Sequence, residues 1–94
     1  MHFDTRIGVK EVRRDQQRPG FPEPFHKVVF LIDSEGSDSM DIGLWVDRRY
    51  PDDKLVKVAG SFLAGRLVDM TTVASQDAYS PSEVDMLWQK VKPV

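Results

Sequence analysis

The sequence predicts an α+β domain, a three-stranded antiparallel meander followed by a long amphipathic helix and a shorter C-terminal helix, in the order β-β-β-α-α. Two successive rhythms carry this. Apolar residues recur every second position, or fill short runs, as far as Asp47, and after Pro51 they recur every third and fourth. A third observation is local: Ser80-Pro81-Ser82-Glu83 has the chemistry of a helix start. With 94 residues, the chain has room for one hydrophobic core and one domain, residues 1–94.

The first strand is read from Phe3 to Val9, where Phe3, Thr5, Ile7 and Val9 alternate with Asp4 and Arg6. Val12 is out of phase, which marks a bulge or the strand's end. Arg13 to His26 reads as a long connection: Pro19-Gly20 signals a turn, and Pro22 and Pro24 cannot donate to a ladder. Phe21 and Phe25 are expected to pin it. Lys27 to Asp33 (KVVFLID) is apolar on both sides and too short for a helix, so it is the central strand. After the Ser/Gly/Asp-rich loop Ser34–Ser39, Asp41 to Asp47 alternates again, with Ile42, Leu44 and Val46 on one side and Gly43 and Trp45 on the other. Three successive strands with no helical pattern between them predict an antiparallel meander.

Pro51 and Asp52-Asp53 suit a first helical turn. Leu55, Val58/Ala59, Phe62/Leu63, Leu67, Met70 and Val73/Ala74 then define a helix over roughly 52–74. Such a helix spans ~33 Å and a seven-residue strand only ~23 Å, so the helix overhangs the sheet. Gly60 and Gly65 weaken it, and the competing reading makes 54–59 a fourth strand with a helix from Ser61. The last helix runs from Pro81 to about Val91. Val84, Leu87, Trp88 and Val91 form one stripe, and Pro93 ends it.

Composition narrows the chemistry. A net charge of −2 gives no bulk drive toward nucleic acid or an anionic membrane. The absence of cysteine removes disulfides, thiolate metal sites and a thiol nucleophile. No apolar run is long enough to span a bilayer, and charges at Asp4, Arg6 and Lys10 leave no signal core. The expectation is a cytoplasmic protein, intact from Met1, with no cofactor, no metal and no membrane partner. His2 and His26 belong to no metal-binding spacing. Asp33 to Asp41 offers oxygens at alternate positions, but Gly36 and Leu44 stand at the wrong places for a calcium loop. Gly60 to Gly65 matches no phosphate loop or nucleophile elbow, and Gly60 with Ala64 reads as a close-packing face.

What remains is a surface. Arg6 and Lys10 lie opposite Ile7 on the first strand, and the meander would bring Val29, Leu31 and Trp45 to their side. If the long helix covers the face bearing Phe3, Ile7 and Val9 together with Ile42, Leu44 and Val46, this reverse face needs company: the Phe21/Phe25 loop, the last helix, or another subunit. Trp and Arg are types enriched at binding hot spots. The expectation is a non-catalytic protein-interaction module, a small accessory of the bacterial or phage adaptor or inhibitor type. Symmetric self-association through that face is one way to cover it. Its candidate contact residues are Trp45, Val29, Leu31, Arg6, Lys10, Arg48 and Arg49, with Arg13, Arg14, Arg18 and Phe21 from the loop. One alternative is a nucleic-acid-binding domain using the same Arg, Lys and Trp residues. The other is a small enzyme built on His26 and a nearby carboxylate such as Glu23.

Overall fold

The computed structural model describes residues 4–93; His2 and the expected strand start at Phe3 lie outside them. The element order is β1 (Thr5–Gln16), β2 (Phe25–Ser34), β3 (Met40–Val46), a 3-10 turn (Asp52–Lys54), α1 (Leu55–Ser75) and α2 (Pro81–Val91). The strands form one antiparallel sheet in the order β1-β2-β3. This is the α+β meander with two helices that the rhythm of the sequence predicts.

β1 runs well past Val9. A bulge lies between Val9, which pairs with Phe30, and Glu11, which pairs with Val29; Val12 then pairs with Val28. The inserted residue resets the two-residue period, so Val12 rejoins the face of Ile7 and Val9. A second irregularity follows between Arg13 and Gln16, where Asp15 takes a left-handed φ of 54°. Arg13 to Gln16 is polar throughout, so no alternation marks it as strand; its pairing is set by the β2 backbone opposite. The predicted fourteen-residue connection therefore shrinks to Gln17–Pro24. There the turn closes with the Phe21 amide donating to the Arg18 carbonyl, 3.1 Å away, and Gly20 at φ 84°.

α1 is continuous through Gly60 and Gly65, and residues 55–59 are helical. The competing strand fails because Leu55, Ala59 and Leu63 share one helix face, and all three are buried. A Cβ at Gly60 or Gly65 would meet nothing within 4 Å, so no backbone of the chain approaches closely there. The core joins Val28, Phe30 and Ile32 of β2 to Leu44 and Val46 of β3 and to Leu55, Ala59 and Leu63 of α1, with Ile42, Val58 and Leu67 at its margin. Each fully buried aliphatic side chain here contributes about 1.5–3 kcal/mol.

The core does not include β1, which has no buried residue. A helix about 10 Å across covers two strands set about 4.8 Å apart, and α1 lies over β2 and β3. Beyond Leu67 the chain also leaves the core: every residue from Val68 to Pro93 is exposed. α2 has its capping box in place, with Ser80 Oγ accepting from the Glu83 amide and Glu83 Oε1 accepting from the Ser80 amide, each at 3.2 Å. It has no buried residue. The molecule measures 59 × 23 × 19 Å with a Cα radius of gyration of 18.0 Å. A compact chain of this length has about 12 Å.

Candidate interaction surfaces

The register brings Arg6, Lys10, Val29, Leu31 and Trp45 to the reverse face of the sheet, away from α1. The sheet's own side chains cover much of that face. Lys10 Nζ reaches Asp41 Oδ2 at 2.6 Å, a bridge from β1 to β3 across the central strand. Hydrogen bonding to Asp41, then its charge, raises the Lys10 pKa. Lys27 lays its stem over Gly43, where a Cβ would crowd Lys27 Cε, and sets its ammonium 5.0 Å from the Trp45 ring centre. Gly43 leaves room for this approach, and a Cβ there would push the flexible Lys27 stem aside. Between these two lids Val29 is only 6% exposed, while Leu31 remains 39% exposed. Beside them Arg13 Nη2 meets Glu11 Oε1 at 2.6 Å; this hydrogen bond is the main cause of the lowered Glu11 pKa and the raised Arg13 pKa. The face is thus a tiling of opposite charges over an apolar floor.

Arg14, Arg48 and Arg49 lie elsewhere, around His26 at the end of the sheet, while Arg18, stacked on Phe21, lines a depression along the β3 edge with Gly43, Trp45 and Phe62. Arg14 pairs with Asp52, Arg48 Nε meets Asp15 Oδ1 at 3.1 Å, and Arg49 Nη2 meets Asp47 Oδ2 at 2.8 Å. The Arg49 side chain, and then its amide, hold the Asp47 carboxyl down to about 2. Arg18 stacks its guanidinium 4.1 Å from the Phe21 ring centre and 4.9 Å from that of Phe25, and the two rings meet edge to face at 5.2 Å. These phenylalanines pin the loop to itself through Arg18. His26 accepts from the Asp15 amide through Nδ1 at 3.2 Å. A shallow depression of about 750 Å3 lies between His26, Glu23, Asp47 and the arginines. Among the described residues no polar or charged side chain is buried, and no three His, Asp or Glu gather as a metal site.

The larger apolar surface is one that strand periodicity does not reveal. Ile7, Val9 and Val12 line the helix side of β1, beside α1, and are 47%, 45% and 37% exposed. On α2 the predicted stripe of Val84, Leu87, Trp88 and Val91 is exposed along its length, and so are Val68, Met70 and Val73 on the outer half of α1. The sequence carries the stripe openly. The β1 strip is hidden from strand periodicity, because the alternation of Ile7 and Val9 does not say that a helix about 10 Å wide covers only two of three strands set about 4.8 Å apart. Among the described residues no helix is long and apolar enough to cross a membrane. Comparisons with protein-family models, with curated proteins and with solved structures find no match to this chain.

Proposed function

We propose that this chain is a non-catalytic protein-interaction module, an adaptor or inhibitor in kind, which docks through the β1 strip and the α2 stripe. The observation that carries the reading is the exposure of every residue from Val68 to Pro93, Trp88 and four further large apolar residues of α2 included. Apolar surface on this scale, rimmed by charge, marks an interaction site, and a half-exposed tryptophan on a helix is a typical hot-spot anchor. Leu31 and Trp45 on the reverse face stand as a lesser contact, since Lys10, Asp41 and Lys27 would have to be displaced to reach the floor beneath them. A nucleic-acid reading needs cations free for phosphates; Arg14, Arg48 and Arg49 each lie against a carboxylate.

The test is the double variant Leu87→Glu/Trp88→Glu. Because neither side chain belongs to the core, the far-UV spectrum and the unfolding of the sheet, followed through Trp45, should persist. Assembly with protein, itself included, should be lost, as read by light scattering on the purified chain and by co-purification from the native source. A double variant that assembles as the parent does overturns the reading.

A further inference from the structure

Resting on that reading, we infer that the partner is a second copy of this chain, with α2 of each copy lying along the β1 strip of the other. The face that α1 half covers has one helix seat left. Helices pack 8–10 Å apart, so a helix beside α1 falls on β1, over Ile7, Val9 and Val12. That strip is about 17 Å long at ~3.3 Å per residue, and the eleven residues of α2 make about 16 Å. The stripe of Val84, Leu87, Trp88 and Val91 at three- and four-residue spacing is the apolar edge such a helix needs.

The chain's own α2 is badly placed to fill the seat. α1 continues from its last buried residue, Leu63, to Ser75, about 18 Å further. Folded back through the connection 76–80, α2 would be spent alongside this overhang, against Met70 and Val73, and would end about where the sheet begins. The β1 strip would stay bare. A second copy covers both surfaces with parts already present, and a two-fold arrangement makes the contact twice. The area agrees. The accessible surface is 7675 Å2, whereas a compact monomer of this mass exposes about 5,500 Å2. The excess of roughly 2,200 Å2 is of the size each subunit gives up in an obligate dimer, about 1,000–2,500 Å2.

The absence of cysteine makes the test clean, because introduced thiols have no competitors. A Val9→Cys chain and a Leu87→Cys chain, mixed and mildly oxidised, should give a covalent pair containing one of each. Sedimentation of the parent chain over a concentration series should show a monomer–dimer equilibrium that Trp88→Glu weakens by roughly 30-fold or more, as at an interface hot spot. A dimer that survives Trp88→Glu and yields no mixed pair overturns the exchange. A strict monomer whose Val9→Cys/Leu87→Cys form closes within one chain overturns both the exchange and the interaction reading, since the arm then covers its own strip. A strict monomer whose thiols stay open, with Trp88 emission still that of a solvated indole, overturns only the second copy as partner.

Discussion

Asp47 takes the Arg49 guanidinium on both carboxylate oxygens and also accepts the Arg49 amide, at 2.8 Å. Both interactions favour the charged form, so the carboxyl titrates at about 2 in the folded chain instead of 3.8. A folded pKa below the unfolded one means that the interaction is fully present above about 3.8 and is lost as pH falls through about 2. Asp47→Asn should therefore flatten the acid limb of the stability profile. Asparagine keeps an oxygen for the Arg49 amide, so the turn after β3 survives and only the charge is removed. Urea midpoints for parent and variant at pH 5 and pH 2.5 check it: the gap between the two proteins should narrow on acidification. Glu11, whose pKa Arg13 lowers, leaves a smaller dependence of the same sign in both. Equal gaps at the two pH values would show that Arg49 does not hold Asp47 in solution.

At the scale of elements, α1 carries two glycines at interior positions with open space where a Cβ would be. Each gives up backbone entropy on folding that alanine would not, so Gly60→Ala and Gly65→Ala should each stabilise the domain by about 0.5–1 kcal/mol. Thermal or urea unfolding measures the gain; a loss at either site would mean that something packs tightly there. The same helix shows what was readable in advance. Leu55, Ala59, Leu63 and Leu67 lie four apart, a signal that outweighs two glycines, and Ser80 with Glu83 fixes α2 through chemistry confined to four residues. The alternation of Ile42, Leu44 and Val46 and the run from Val28 to Ile32 placed β3 and β2 and their faces correctly. The far end of β1 was hidden because Arg13 to Gln16 owes its strand state to Phe25 and Lys27 across the ladder. The pairings that neutralise the arginine end were hidden too, since Arg14 meets Asp52 from thirty-eight positions away.

For the whole molecule, layer widths decide what individual periods cannot. One helix over three strands leaves a bare strip, and a helix that outruns the sheet carries the next one clear of it. This geometry predicts the shape of the chain when deprived of a partner. Ile7→Glu/Val9→Glu spoils the strip while leaving α2 and its stripe untouched, so this variant should be monomeric with its arm free to go wherever its own chain allows. If α1 holds the arm away, small-angle scattering should give a radius of gyration at or slightly above 18.0 Å and a longest dimension near 59 Å. Should the stripe instead find Met70 and Val73 on its own α1, the particle would shorten, with the radius falling toward the compact value of about 12 Å. The connection is long enough for either: five residues, Gln76 to Ser80, reach at most about 17 Å. Gln76 continues the α1 geometry at φ −61°, while Ser80 is extended at φ −66° and ψ 159°. Ser80 is held so by its own capping bonds, which start α2 without setting its direction, and the 59 Å length of the molecule makes the outstretched arm the expected result.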